Sequence, residues 1–245
     1  METTKTKPIS KIQDFPSVKR PIIVPTSNYL LIEDWVEFAR EKKALVLLIG
    51  ENGYGKTTTL KKISSQIESS IYIKVGRGEP ARHFYSRFLT EVDILNQYNK
   101  KEVFKNPHIF HLMDQSINII NERNDLDLIL IDEFGNLDKR YISYVRQIWD
   151  EVQFNAGMVL AGPPSLMADL LRWQKLKTRG INELLSRIGS RRKVLKVHTY
   201  NDIKKICKSR GIVLDSEINH FYKVAPDLRV LQILIDDYKD GRFKI

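Results

Sequence analysis

"LVLLIGENGYGKTTTLKK", residues 45–62, decides the fold. An apolar run stops at Gly50, and six residues later Lys56 opens a threonine-rich segment. Gly50, Gly55, Lys56 and Thr57 satisfy G-x-x-x-x-G-K-[ST], the P-loop or Walker A pattern. Glycine permits backbone angles closed to other residues and lets the main chain approach a ligand closely. The amides of Gly50, Glu51, Asn52, Gly53, Tyr54, Gly55, Lys56, Thr57 and Thr58 are thus expected to converge on an anion, helped by the positive end of the following helix. Lys56 is expected to reach β- and γ-phosphates, and the Thr57 hydroxyl to ligate Mg2+. "ALVLLI" reads as a buried parallel strand, and Leu60, Ile63 and Ile67 carry the 3–4 spacing of a helix.

A second stretch, "LDLILIDEFGN" at residues 126–136, supports this reading. Leu128 to Ile131 form another central-strand candidate, ending in Asp132 and Glu133. An acid at the carboxyl end of a strand beside a P-loop holds Mg2+ through water, the Walker B role. The acid beside it polarises the attacking water as a general base. Together the two motifs predict ATP and Mg2+ as cofactors and an ATPase activity.

With 245 residues, the chain has room for one α/β domain and a small appendage. A formal net charge of +10 suits a polyanionic partner such as nucleic acid. Cys207 is the only cysteine, which rules out a disulfide framework or a zinc ribbon and fits a reducing compartment. The five histidines show no metal-ligand spacing joined to cysteines or carboxylates. No apolar run approaches the ~20 residues of a membrane span, and "METTKTKPISK" lacks the apolar segment of a secretory signal. The expectation is a cytoplasmic protein with no membrane partner.

Along the chain, residues 1–20 read as a flexible basic arm, 21–198 as an α/β nucleotide-binding core and 199–245 as a helical lid. In the core, Thr26 or Ser27 is placed to cap a helix with Leu30, Leu31, Trp35 and Phe38 on its apolar face. Strands are expected at 70–75, 128–131, 156–162 and 193–197 in addition to the first. "LDKRYISYVRQIWDEV" reads as a helix with Tyr141, Tyr144, Val145 and Ile148 on one face, and Phe84, Tyr85 and Phe88 read as core. Alternating strands and helices imply a parallel five-stranded sheet flanked by helices, with ligands at the carboxyl ends of its strands. After residue 199 the pattern changes to three short helices.

These motifs in this order resemble those of an AAA+ ATPase of the P-loop fold. Within that class the chain looks most like the DNA-transposition regulators, the TnsC and TniB proteins and the B protein of phage Mu. "IIVPTSNYLLIEDWVEF" resembles their segment before the first strand, where a "VP" precedes a helix packing near the adenine. "SIYIKVGRGEPARHFYSRF" resembles their second strand and DNA-facing loop. "ELLSRIGSRRKVLKV" resembles the segment that presents an arginine finger to a neighbouring subunit, and "APDLRVLQILI" the lid helix carrying the sensor-two arginine. The resemblance implies that Arg187 is the trans finger, with Arg191 as its rival, and that Arg229 is sensor two. It implies homo-oligomers, as rings or helical filaments on non-specifically bound duplex DNA, a transposase as partner and hydrolysis driving disassembly. Lys74, Arg77 and Arg82 are the candidate phosphate contacts on DNA. A helicase loader or replication initiator is the alternative, and an ATP-switched scaffold without DNA a third reading. One departure stands out. Pro163 follows Gly162 where relatives place a polar sensor, so Ser165 is left as the substitute and the rate of hydrolysis is in question.

Overall fold

The computed structural model describes residues 23–94, 108–122 and 126–242, and the arm expected at residues 1–20 lies outside them. Five parallel strands form one sheet: β1 (Leu45–Ile49), β2 (Ser70–Lys74), β3 (Leu128–Asp132), β4 (Gly157–Gly162) and β5 (Arg192–Val194), in the order β2-β3-β4-β1-β5. Leu45 pairs with Met158, Leu128 with Gly157 and Ser70 with Leu128. β5 is shorter than the 193–197 run suggested, because only Arg192, Lys193 and Val194 register against β1. The strand ends there, although the Leu195 amide still donates to the Ile49 carbonyl.

Alternation along the strands divides the core. Val46, Leu48, Leu128, Leu130, Val159 and Ala161 face one layer, made by α1 (Ser27–Glu41) and α2 (Lys56–Ser64). Leu45, Leu47, Ile49, Ile71, Ile73, Ile129, Ile131 and Leu160 face the other. That layer contains α3 (Ala81–Ile94), α4 (Ile109–Glu122), α5 (Ile142–Val152), α6 (Pro164–Lys175) and α7 (Ile181–Ile188). Burial on both sides is why the strands are continuous apolar runs. Phe84, Tyr85 and Phe88 are buried in this second layer, as expected.

Thr26 caps α1, its hydroxyl accepting from the Tyr29 amide at 3.2 Å. The buried face of α1 is centred on Asn28, Ile32, Val36 and Ala39; of the expected residues Leu31, Trp35 and Phe38 pack partly buried against the same core, and Leu30 is 49% exposed. A polar residue is tolerated at the inner position because Asn28 is fully used. Its Nδ2 donates to the Lys196 carbonyl at 2.8 Å and its Oδ1 accepts from the Lys196 amide at 3.2 Å.

The last three helices, α8 (Tyr200–Ser209), α9 (Asp215–Val224) and α10 (Leu228–Lys239), close on a separate core of Ile203, Cys207, Ile218, Phe221, Leu231 and Ile235. Two contacts dock this helical unit on the sheet domain. Asp202, 1% exposed, accepts from the Ser27 amide and hydroxyl and from the Thr199 amide and hydroxyl, at 2.7 to 3.0 Å. At the other end, the Leu228 amide donates to the Gly53 carbonyl at 3.2 Å. No helix among the described residues is long and apolar enough to cross a membrane.

Candidate nucleotide-binding site

The loop after β1 turns through two glycines in the left-handed region, Gly53 at φ 81° and Gly55 at φ 91°. Side chains are strained there, and at Gly53 there is no room either: a Cβ would lie 2.5 to 2.7 Å from atoms of Asp227. Gly55 is the N-cap of α2, so that helix opens with its amides directed into the loop.

Lys56 is 5% exposed, and its ammonium donates to the carbonyls of Gly50 and Glu51, the latter at 3.0 Å. Burial pushes it below the ordinary lysine range and Arg229 adds to that, while Glu133, Asp132 and Glu51 pull it back up. A bound polyanion would restore the charged form, so the site favours phosphate on electrostatic grounds.

The Thr57 hydroxyl donates to Asp132 Oδ2 at 2.7 Å, which joins the first turn of α2 to the end of β3. Asp132 is fully buried and holds two more donors: the Tyr72 hydroxyl at 2.9 Å on Oδ2 and the Glu133 amide at 2.9 Å on Oδ1. A hydroxyl and a carboxylate held together in this way fit a hard cation with oxygen ligands, one directly and one through water. Glu133 has φ 53°, a strained value for a residue with a side chain, and it lines the cavity.

That cavity, about 470 Å3, brings together Asn52, Gly53, Gly55, Lys56, Thr57 and Thr58 with Glu133 and Arg229. Gly50, Glu51 and Tyr54 shape the loop without lining the cavity. Sequence reasoning missed much of the far wall, which carries Ile23, Val24 and Tyr29 before and in α1, Ile206 and Arg210 from α8, and Gln232 from α10. The only local signal for it was the "VP" ahead of α1. Tyr72 was missed as well.

The remaining candidates lie elsewhere. Arg187, at the end of α7, is paired with Asp150 of α5 (Nε to Oδ1, 2.8 Å), which also pairs with Arg146. Arg191 is tied to its own backbone, donating from Nε to the Leu45 carbonyl at 3.1 Å and from Nη2 to the Arg187 carbonyl. Lys74, Arg77 and Arg82 are exposed at the end of β2, in the following loop and at the start of α3. Glu79 organises that loop by accepting from the Gly76 amide and from Arg87, at 2.7 to 2.9 Å, and by pairing with His83. Burial alone would raise the Glu79 carboxyl, but these partners outweigh it and hold it below the usual range. The Asn136 amide, three residues past Glu133, donates to the Val75 carbonyl at 3.1 Å and so connects the basic loop to the acid pair. Pro163 is the N-cap of α6 and offers no side-chain donor, and Ser165 is exposed on that helix.

Comparison with known proteins follows this geometry. The sequence profile of the family described as "AAA domain" matches residues 39–170, more than half of the chain. No curated protein sequence matches. Among solved structures, the Aeropyrum pernix ORC1 protein, solved in complex with DNA, is similar with a TM-score of 0.64 at 15% identity. That match covers 94% of this chain and 64% of the other. Drosophila ORC bound to DNA is similar with a TM-score of 0.58 at 13% identity, over 98% of this chain and 66% of that one. The chain therefore spans slightly less than two thirds of each of these structures. At such identities the likeness concerns the fold.

Proposed function

The chain belongs to the AAA domain family, and from that premise we propose that it is a Mg2+-dependent ATPase whose subunits assemble on duplex DNA. One observation carries the proposal: phosphate loop, Glu133 and Arg229 line a single cavity that the C-terminal helical unit also walls. In this reading the helical unit is a lid. Lys56 and the loop amides bind the β- and γ-phosphates, while Thr57 and Asp132 would hold Mg2+, which when bound would neutralise charge developing on the phosphates. Glu133 orients and deprotonates the attacking water. Arg229 contacts the γ-phosphate from the lid, and Arg187 reaches the site of the neighbouring subunit. Lys74, Arg77 and Arg82 contact DNA phosphates without reading sequence. A formal net charge of +10 supports that role.

For the task performed on DNA, the sequence motifs favour target selection for a transposase, with ATP-bound assemblies recruiting it and hydrolysis dissolving them. The fold likeness to Aeropyrum pernix ORC1 in complex with DNA favours a second reading, a replication initiator or helicase loader.

The test is binding to random duplex DNA with ATP, ADP or no nucleotide across a salt series, with the samples viewed by electron microscopy. ATP-dependent, salt-sensitive binding with ordered oligomers is expected. Lys56→Ala should abolish it, and Glu133→Gln should give stable assemblies that do not hydrolyse. Normal assembly by Lys56→Ala would sink the proposal. Preference for single strands or capture of a helicase would select the second reading. If no nucleotide state binds DNA, the chain is an ATP-switched scaffold.

A further inference from the structure

Arg210 closes α8 and lines the nucleotide cavity on the wall that also carries Ile23, Val24 and Ile206. It does not lie loose there. One of its terminal nitrogens (Nη2) donates to Gln232 Oε1 at 2.7 Å, and Gln232 Nε2 donates in turn to both carboxylate oxygens of Asp236, at 2.8 and 2.7 Å. The Asp236 carboxylate thereby fixes which way the Gln232 amide faces, and the amide oxygen fixes the guanidinium. The Arg210 Nε is buried and has no hydrogen-bond partner.

The position of this chain of bonds along α10 indicates which part of a ligand it meets. α10 starts on the phosphate loop, where Leu228 bonds to Gly53, and Arg229 follows immediately. Gln232 lies three residues further, about 4.5 Å along the axis, so Arg210 sits beyond the phosphate-binding groups. A guanidinium is a donor in every direction and takes only acceptors or an aromatic face. The apolar side chains around it suit a flat heterocycle, and the cations for a triphosphate, Lys56 and Arg229, are already at the other end.

We infer that Arg210 is a specificity contact for the nucleoside half of the nucleotide, donating to a ring nitrogen of a purine base, with Gln232 and Asp236 as its positioning residues. This rests on the nucleotide reading of the cavity.

The test is equilibrium binding of ATP, CTP and inorganic tripolyphosphate, each with Mg2+, to the wild-type chain and to Arg210→Ala, Arg210→Lys and Gln232→Leu, with thermal melts as the check on folding. Arg210→Ala should bind ATP about tenfold more weakly, the loss of one charge-assisted hydrogen bond, and bind tripolyphosphate as the wild type does. Its preference for ATP over CTP should shrink by a similar factor. Arg210→Lys should move the same way, because an ammonium lacks the planar fork, and Gln232→Leu should show a smaller loss. An equal loss for tripolyphosphate would make Arg210 a phosphate contact and overturn the inference, as would unchanged ATP affinity in Arg210→Ala. Failure of the wild-type chain to bind either ATP or tripolyphosphate would remove the nucleotide reading itself, and the inference with it. Should Arg210→Ala fail to fold, Arg210→Lys and Gln232→Leu decide by the same comparison.

Discussion

To hold a hydrated cation, as proposed, Asp132 would have to present one carboxylate geometry, and three donors set it: Thr57, Tyr72 and the amide of Glu133. Thr57 belongs to the Walker A pattern, and the sequence reading assigned it and Asp132 to one cation without pairing them. Tyr72 was not, because its partner is 60 residues away and only the pairing of β2 with β3 brings them together. Without the phenol, Asp132 keeps its charge but gains rotational freedom. Tyr72→Phe, which preserves the ring in the strand, should therefore raise the Mg2+ concentration needed for half-maximal ATP binding about fivefold, the worth of one hydrogen bond. Binding at saturating Mg2+ should be nearly unchanged. A Mg2+ titration with a fluorescent nucleotide measures both, and an unmoved midpoint would reduce Tyr72 to packing. Asn28 makes the same point. Read by its type, it belongs outside α1, yet it is buried because a distant backbone satisfies both ends of its amide.

At the scale of elements, the junction between α1 and α8 governs whether the C-terminal helices stay docked. Asp202 accepts four hydrogen bonds there. Burial raises its carboxyl, but the Thr199 and Ser27 donors outweigh that and hold it below the ordinary range. Asp202→Ala strands buried donors on two elements and should cost about 2–4 kcal/mol in urea unfolding. Beside it, His198 is 5% exposed and lies against the Tyr54 ring of the phosphate loop. Burial lowers its pKa, against the pull of the Asp202 carboxylate, a hydrogen bond with the Gly53 backbone and the Asp227 carboxylate. Above about pH 6.5 the imidazole is neutral in both folded and unfolded chains and contributes no pH dependence. As pH falls below that, the unfolded chain takes up a proton that the folded chain resists, so stability declines until the folded-state pKa is passed. His198→Leu should flatten the slope below about pH 6.5, and the depressed Asp202 adds acid loss only below about pH 4. An unchanged slope in that variant would assign the acid sensitivity to other groups. The helices themselves were readable from 3–4 spacing, but their docking was not, since it depends on single polar contacts across more than 160 residues of chain.

For the whole molecule, the five-strand parallel fold was legible from the alternation of strand and helix patterns, with the phosphate loop and the acid pair each marking the carboxyl end of a strand. On the proposed reading each site also takes a contribution from a neighbouring subunit, which a single chain does not contain. Arg187 is the better placed of the two finger candidates. Its side chain is 40% exposed and its guanidinium is held by one carboxylate, Asp150, in an ion pair of the half-exposed kind that is cheaply exchanged. Arg191 is bound to two backbone carbonyls, one of them at the start of β1, and leaving them would unsettle its own sheet. If Arg187 acts across an interface, two inactive variants should rescue each other. Glu133→Gln lacks the base but offers a finger, and Arg187→Ala lacks the finger but keeps the base. When they are mixed in equal amounts and assembled with ATP and DNA, roughly a quarter of random head-to-tail pairings place an intact base opposite an intact finger. Phosphate release should then recover to about that fraction of the wild-type rate, while each variant alone stays near background. A mixture as inactive as its components would place Arg187 outside the interface, and the same mixture built with Arg191→Ala would then decide whether its rival serves instead.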